Sequence, residues 1–326
     1  MRIALPAQID EHAFADCDPS IAVGEMRGET MGTTWSLRFV LPRNGAVEAA
    51  EIRAAIEARL AGIVDQMSHW EPRSLLCRFN RAAPGSWTTL PDDFARVIHA
   101  GLAIADASEG AFDPAIGRLV DIWGFGPPGP QPRPDAEAID TARAASGFTR
   151  LVWEPETRRL RQPGDLALDF SGIAKGYAVD AVADLLAGMG IVHALVEIGG
   201  ELVGRGVRPD GEPWWVDLET PPGLPDMPMR IALHGLAVAT SGNYRRGEHT
   251  IDPRTGQPTE NGLASVSVLA PSAMMADGLT SALTVLGPVA GLHLATRRGI
   301  AARFVTNHGG APSELLSPAL EAMLAD

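Results

Sequence analysis

The chain has 326 residues, of which 45% are hydrophobic and 21% charged. This is enough for a sizeable core in one large domain or two packed lobes, and it is ordinary for a soluble globular protein. The formal net charge of −13 argues against a nucleic-acid or anionic-membrane partner, because both require a basic face. A phosphate ligand would therefore need backbone amides, a metal or a few placed cations.

The cysteines and the N-terminal residues bear on metal binding and on the location of the protein. Cys17 and Cys77 are the two cysteines, too few for a zinc cluster, and they could pair or stay free. Polar residues interrupt the N-terminus before a secretory signal could form, and no run of about 20 apolar residues is evident. We expect residues 1–26 to be a loosely attached leader and 27–326 a single domain. We also expect no membrane span and a cytoplasmic location, or a periplasmic one if the sequence is trimmed.

Hydrophobic periodicity predicts alternating helices and strands along the chain. A strand follows a tight turn within 27–40, and two short strands lie within 150–170. The segment 124–135 is too rich in Pro and Gly for regular structure. Helices are predicted at 46–66, 91–108, 174–189 and near 273–287, and strands near 193–206, 214–219, 229–240 and 263–270. A mixed fold of helices and strands is the expectation.

Two segments in the first half could contact a ligand. Met31-Gly32-Thr33-Thr34 puts a glycine beside two hydroxyls, where a ligand could approach the backbone; an ordinary turn has the same pattern. Ala111-Phe112-Asp113-Pro114-Ala115 leads to aromatic residues that could stack on a ring, although aromatics pack more often in a core. Each is a weak signal by itself.

The segment DFSGIAKGY, from Asp169 to Tyr177, predicts a strand end, a glycine turn and a helix start. Amides at that helix start would face an anion, and Lys175 adds a positive charge. The spacing matches neither a P-loop nor the dinucleotide motif G-x-G-x-x-G. A plain strand-turn-helix corner remains equally compatible with the pattern.

A cluster of polar residues follows in ATSGNYRR and HTIDPRTG, between Ala239 and Gly256. Hydroxyls, an amide, a tyrosine, arginines and a histidine in an acidic protein suggest a phosphate neighbourhood. A lone histidine is usually structural or exposed. In this company, a catalytic or ligand-contacting role for His249 is an equal alternative.

The segment MADGLTSAL brings a carboxylate and a hydroxyl together. Asp277 and Ser281 are four residues apart, so both project from one face of the first helical turn. Such a pair suits a hard cation such as Mg²⁺. A helix N-cap at Asp277 is the alternative, and it is slightly favoured from this segment alone.

Together these segments resemble the ApbE family, the FAD:protein FMN transferases. The resemblance runs in order from Met31 to about Gly287. Its most specific parts are DFSGIAKGYAVD, VEIGGELVGRG, ATSGNYRR with HTIDPRTGQP, and SVSVLAPSAMMADGLTSAL.

The resemblance implies an α+β, T-fold-like, two-lobed architecture, with mostly antiparallel sheets flanked by helices and an FAD cleft between the lobes. It implies Mg²⁺ or another divalent cation held by the carbonyl of Gly172, the carboxylate of Asp277 and the hydroxyl of Ser281. His249 matches a histidine implicated in the transfer chemistry. The positions implied to contact FAD are Met31, Trp70, Ala111, Phe112, Asp113, Asp169, Lys175 and Ile251.

The implied reaction is metal-dependent transfer of FMN from FAD to a Thr or Ser hydroxyl of an acceptor flavoprotein with a short Ser/Thr-containing motif, releasing AMP. His249 is the candidate base, and Asp277 is another through the metal site. Two alternatives stay open. Water in place of the acceptor hydroxyl would make the chain a Mg²⁺-dependent FAD pyrophosphatase, and loss of chemistry would leave a non-enzymatic FAD-binding protein.

Overall fold

A computed structural model describes residues 1–14, 18–41, 47–224, 227–242, 250–308 and 311–325. The helices are α1 Ala49–Met67, α2 Leu75–Asn80, α3 Asp92–Ala107, α4 Gly117–Ile122, α5 Ala136–Ala145, α6 Ala174–Gly188, α7 Ala273–Arg298 and α8 Pro318–Glu321, with single 3-10 turns at Glu11–Phe14 and Phe148–Arg150. The strands are β1 Arg2–Ala4, β2 Gly24–Thr30, β3 Thr33–Phe39, β4 Trp87–Thr89, β5 Val152–Glu154, β6 Arg159–Arg161, β7 Ala194–Ile198, β8 Glu201–Arg205, β9 Trp214–Asp217, β10 Met229–Leu233, β11 Leu236–Gly242, β12 Ile251–Asp252, β13 Gln257–Pro258, β14 Leu263–Ala270, β15 Ala301–His308 and β16 Ala311–Leu316.

One large sheet organises these elements. Its strand order is β16-β15-β14-β11-β8-β7-β3-β2, and each neighbouring pair is antiparallel. A smaller sheet, β1-β10-β9, contains a parallel pair formed by β1 and β10. The expectation of an α+β fold with mostly antiparallel sheets is confirmed.

Both faces of the large sheet are buried, so the fold has three layers. In β7, Val196 packs into the main core with residues of α1 and α6, and its neighbour Leu195 packs with Trp214 and Ile231 of the small sheet. This follows from the alternation of side chains along a strand. The helices α6 and α7 therefore lie on one face and β1-β10-β9 on the other.

Helix α1 matches its predicted pattern. Ile52, Ile56, Leu60 and Ile63 recur at helical spacing, and all four are buried. Helix α1 contacts both α6 and α2. The apolar periodicity was therefore a sound guide where one helix face is buried and the other exposed.

Helix α7 is longer than predicted. The chain breaks helical geometry at Gly287 (φ 76°, ψ 179°) and continues from Pro288 to Arg298. Proline disfavours a helical residue before it but is well placed at the start of a new helical segment. The end predicted near 287 was therefore a kink.

Helix α7 is also long and apolar enough to cross a membrane, which corrects the expectation that no such segment exists. The apolar side chains have partners inside the protein, because 56% of the most apolar window is buried and the helix packs on β11, β14 and α6. Its composition is that of a core helix.

The N-terminal segment is attached more firmly than the expected leader. Strand β1 pairs with β10, and Ala4 is fully buried. Further along, the amide of Asp10 donates to Nε2 of His234 over 2.9 Å. The boundary predicted after residue 26 falls inside β2, which pairs with β3 along its whole length. Ordered backbone hydrogen bonds explain why weak side-chain periodicity misled the prediction.

Candidate functional site

The N-terminal halves of α6 and α7 are bonded to each other. The amide of Gly176 donates to Oδ2 of Asp277 over 2.9 Å. In return, the carboxylate of Asp180 accepts from the amides of Ala273 and Met274, each at 2.9 Å. A Cβ on Gly176 would lie 2.2 Å from the carbonyl oxygen of Ala273. The glycine therefore permits a close helix contact that fixes Asp277 in position.

The glycine turn before α6 reaches the same part of α7. The hydroxyl of Ser281 lies 3.4 Å from the carbonyl oxygen of Gly172 and donates to it. A Cβ on Gly172 would lie 2.7 Å from that hydroxyl and 3.4 Å from the ring of Phe112. Gly172, Asp277 and Ser281 are thus brought to one place, at the contact between α6 and α7.

The interpretation of Asp277 as a helix cap is wrong. Ser272 is the N-cap of α7, and its side chain accepts from the amide of Met275. Asp277 lies a turn further in, and its residue is only 4% exposed. A buried carboxylate that far inside a helix is no cap, so its position needs another explanation.

Lys175 and Glu201 complete the charged part of the site. Nζ of Lys175 lies 2.5 Å from Oε1 of Glu201 and 4.0 Å from Oδ1 of Asp277. Glu201 is 5% exposed, and its Oε2 is buried without a hydrogen-bond partner. Two buried carboxylates thus lie close to the ammonium group of Lys175.

The residues present fit a divalent cation. Carboxylate, hydroxyl and carbonyl oxygens are the ligands that hard cations prefer, and Mg²⁺ uses only one or two carboxylates. Among the described residues, no group of three or more His, Cys, Asp and Glu side chains could hold a metal. A cation here would therefore depend on the carbonyl of Gly172 and the hydroxyl of Ser281 as well as on Asp277.

Burial is the main cause of the pKa shifts of the two carboxylates at this site. Burial raises the pKa of Glu201 to about 7, with a further rise from the charge of Asp277 and an opposing effect of Lys175. Burial also raises the pKa of Asp277, against the charge of Lys175 and the hydrogen bond from Gly176. A positive charge beside these carboxylates would favour their ionised forms. Sequence reasoning missed Glu201, although it directly follows Gly199-Gly200 in one of the quoted motifs.

Two tight hairpin turns lie beside Lys175. Met31 (φ 50°) and Gly32 (φ 71°) form the turn between β2 and β3. Both have positive φ, as in the two-residue turns that suit the twist of a hairpin. A Cβ on Gly199, in the turn between β7 and β8, would lie 3.0 Å from Thr33 and 3.3 Å from the side chain of Lys175. The segment predicted at Met31 therefore borders the charged site.

Asp169 holds the start of the glycine turn. Its Oδ1 accepts from the amide of Ser171 over 2.8 Å and from the hydroxyl of the same residue, and its Oδ2 lies 2.9 Å from Nδ1 of His69. Burial acts to raise the pKa of Asp169, but His69 and Ser171 outweigh it and the pKa is lowered. Trp70, the next residue after His69, is 61% exposed. An exposed indole here is free to stack on a ring.

The segment from Ala111 to Asp113 lies beneath the surface. Ala111 and Phe112 are buried. The carboxylate of Asp113 accepts from the amides of Ala115 (2.7 Å) and Phe148 (3.0 Å), and burial raises its pKa to about 6. Of the three residues, Phe112 reaches Gly172, since its ring would lie 3.4 Å from a Cβ at that position.

At the start of α6, where backbone amides were expected to face an anion, the amide of Gly176 donates to Asp277 and that of Ala174 donates to the carbonyl of Phe170. The side chain of Ile251 packs in a small cluster with Leu119. His249, the candidate base, lies outside the described residues.

Comparison with known proteins gives a consistent result. The FAD:protein FMN transferase of Klebsiella pneumoniae (strain 342) is 34% identical over 327 residues, which cover 96% of this chain and 93% of the relative. The enzyme of the same name from Vibrio cholerae (strain O395) is 36% identical over 86% of this chain and 87% of its own. The apo crystal structure of the Pseudomonas stutzeri flavinyl transferase ApbE matches with a TM-score of 0.87 at 39% identity, over 93% of this chain and 97% of that one.

Fold, site and relatives together define a flavin transferase. Within that class, the chain belongs to the ApbE family, whose sequence profile matches residues 31–304. The matched range contains each of the site residues described above.

Proposed function

We propose that the chain transfers the FMN half of FAD, in a reaction that requires a divalent cation, to a Thr or Ser hydroxyl of an acceptor flavoprotein and releases AMP. The observation that carries the proposal is the convergence of Gly172, Asp277 and Ser281 at the contact of α6 and α7. The names of the relatives supply the reaction class. The acceptor would present its hydroxyl in a short Ser/Thr-containing motif.

In the reaction, a new bond forms between the acceptor oxygen and the FMN-side phosphorus. The bond from that phosphorus to the oxygen bridging to AMP breaks, and AMP takes the electron pair. Positioning and charge neutralisation are the main requirements of such a step. A divalent cation, when bound by Gly172, Asp277 and Ser281, would supply neutralisation of the pyrophosphate.

The chain's own residues meet the remaining requirements. Lys175, anchored by Glu201 at 2.5 Å, holds an ammonium group near the cation ligands, where a phosphate oxygen would need a counter-charge. Trp70 offers an exposed indole for stacking, and Met31 sits on a constrained turn at the edge of the site. His249 is proposed as the base that accepts the hydroxyl proton.

The test is acceptor-dependent flavin fluorescence in a denaturing gel. The protein is incubated with FAD, an acceptor and Mg²⁺, with or without a chelator. We expect fluorescent acceptor only when the cation is present, and none with Asp277→Ala. Asp106→Ala, at an exposed position of α3, is the matched control and should retain activity. Near-normal flavinylation by Asp277→Ala would refute the metal assignment.

The same reaction mixture separates the alternative functions. Water as the nucleophile gives free FMN and AMP without labelled acceptor, which would identify a pyrophosphatase. Tight FAD binding without release of AMP, even with Mg²⁺, would identify a non-enzymatic flavin-binding protein. Chromatography of the nucleotides beside the gel distinguishes these outcomes.

A further inference from the structure

His69 has one engaged ring nitrogen and one that is unsatisfied. Its Nδ1 lies 2.9 Å from Oδ2 of Asp169. Its Nε2 is buried and has no hydrogen-bond partner. Most buried polar atoms in folded proteins have such a partner, because an unpaired one costs free energy. The unpartnered Nε2 therefore needs an explanation.

The backbone around His69 is held in place. The thiol of Cys77 lies 3.3 Å from the carbonyl oxygen of His69, and the amide of Trp70 donates to the hydroxyl of Ser68 over 3.1 Å. The imidazole and the indole of Trp70 have centroids 5.3 Å apart and planes inclined by 44°. The ring of His69 thus lies beside the exposed aromatic surface of Trp70 and joins it to the turn that carries Gly172.

The charge environment determines what Nε2 can do. Burial would lower the pKa of His69, but the hydrogen bond and charge of Asp169, with a contribution from Asp121, outweigh it and the pKa is raised. A carboxylate on one ring nitrogen fixes the orientation of the ring and stabilises the imidazolium, as in other histidine–carboxylate pairs. In the imidazolium form, the second nitrogen also carries a proton and can donate it.

We propose that His69 is a specificity-determining contact for FAD, with Nε2–H donating to an acceptor atom of the molecule that stacks on Trp70. The inference rests on the proposed function in one respect, since it takes FAD as the ligand. Both halves of FAD carry acceptor atoms, on the AMP side and on the FMN side. Separate measurements with AMP and with FMN identify which half makes the contact.

The test uses two amides that imitate different nitrogens of the imidazole. His69→Asn keeps a donor near the position of Nδ1, facing Asp169, and removes Nε2. His69→Gln places its amide near the position of Nε2 and gives up the bond to Asp169. If Nε2–H contacts FAD, Asn should weaken FAD binding about tenfold, as expected for one lost hydrogen bond to a ligand, and Gln should stay within about threefold of the wild type.

A purely structural role for His69 predicts the opposite order. The hydrogen bond to Asp169 would be preserved in His69→Asn and lost in His69→Gln. Weaker FAD binding by the Gln variant than by the Asn variant would therefore overturn the proposal. Unchanged binding by both variants would also overturn it. His99→Asn, at an exposed position of α3, is the matched control and should bind FAD as the wild type does.

Binding is measured by titration of FAD, AMP and FMN, without an acceptor, alongside the thermal midpoint of each variant. If His69→Asn unfolds, the Gln variant decides alone, since a tenfold loss at an unchanged midpoint contradicts the proposal and retained affinity supports it. If the wild-type chain binds FAD in this His69-dependent way but labels no acceptor, the proposed transfer reaction is contradicted and the proposed contact is not. If the wild-type chain does not bind FAD, both proposals are contradicted.

Discussion

The backbone amide of Gly176 donates a 2.9 Å hydrogen bond to Oδ2 of Asp277, and this bond crosses from α6 to α7. It aligns a buried carboxylate in the second turn of α7, whose other oxygen lies 4.0 Å from Nζ of Lys175. Asp180, one turn further along α6, accepts from the first amides of α7. The two helices are thereby locked in the register that brings Ser281 to Gly172.

The first prediction tests this contact by adding one methyl group. In Gly176→Ala, the new Cβ would meet the carbonyl of Ala273 at 2.2 Å, and backbone on both sides prevents relief. We expect a loss of about 3 kcal/mol or more in the free energy of unfolding, at the upper end of overpacking effects, and loss of transfer activity. Denaturant unfolding gives the first value, and the gel assay gives the second.

The same helix provides the control for that substitution. Gly188 ends α6, and a Cβ there would have no neighbour within 4 Å. Gly188→Ala should leave the free energy of unfolding unchanged or raise it by about 0.5 kcal/mol, through helix propensity. Equal effects of the two substitutions would mean that the α6–α7 contact is not tightly packed.

The second prediction concerns cation binding and pH. Because burial raises the pKa values of Asp277 and of Glu201, the latter to about 7, the cation-free fold binds protons more tightly than the unfolded chain does. The stability that these groups contribute is full below their pKa values in the unfolded chain and is lost as the pH rises through about 7, the pKa of Glu201 in the fold. A cation competes with those protons and relieves the repulsion above that pH.

Mg²⁺ should therefore raise the thermal midpoint more at pH 8 than at pH 5. Thermal unfolding with and without a chelator across this range measures it. The Asp277→Ala variant should show no cation-dependent shift. A shift of equal size at both extremes of pH, or one that persists in the variant, would place the cation elsewhere.

Several helices and strands could be predicted because the spacing of apolar side chains along the chain reflects the local secondary structure. The apolar spacing of α1 gave its length to within three residues at the start and one at the end, and β14 agrees with its predicted range. The errors arise from contacts between residues that are distant in sequence. Strand β1 has a weak apolar pattern and was not predicted, because it is held by pairing with β10. The helical segment of α7 beyond Pro288 was not predicted either.

The sequence indicated several residues of the site but not the contacts between them. Glycine and hydroxyl motifs marked Gly172 and Ser281, yet their contact spans 109 positions in sequence. The roles of Glu201 and His69 depend on which buried atoms face them across the fold. No local pattern in one sequence states that Lys175 lies 2.5 Å from Glu201 or that His69 lies 2.9 Å from Asp169.

The third prediction concerns Glu201. In Glu201→Gln, the side chain keeps its size and loses its charge, so Lys175 turns fully to Asp277 and competes with a cation for that carboxylate. We expect the apparent affinity for Mg²⁺ to fall about tenfold, which corresponds to roughly 1.4 kcal/mol. The thermal midpoint without cation should change little, because Lys175 keeps the carboxylate of Asp277, 4.0 Å away, as a counter-charge.

A nearby glutamate on the same hairpin is the control. Glu197 accepts from the amide of Gly200 and the hydroxyl of Ser36, and it has no ion pair with Lys175 in the described structure. Glu197→Gln should leave the Mg²⁺ dependence of transfer unchanged. An Mg²⁺ titration of transfer rate compares the two variants, and equal affinities for Mg²⁺ in Glu201→Gln and wild type would contradict the role assigned to Glu201.

The fourth prediction tests whether the hydroxyl of Ser281 acts as a cation ligand together with the carbonyl of Gly172. Ser281→Ala should fold normally and lose about tenfold in Mg²⁺ affinity, whereas Ser281→Thr keeps the oxygen and should retain most of it. Gly172→Ala should resemble Ser281→Ala, because its Cβ would lie 2.7 Å from the hydroxyl and displace it. Once the hydroxyl is absent, adding the methyl group should cost little more, so the double variant should be no weaker than the worse single one. Fully additive losses in Mg²⁺ affinity would show that the two residues act independently and would remove the reason for treating them as one site.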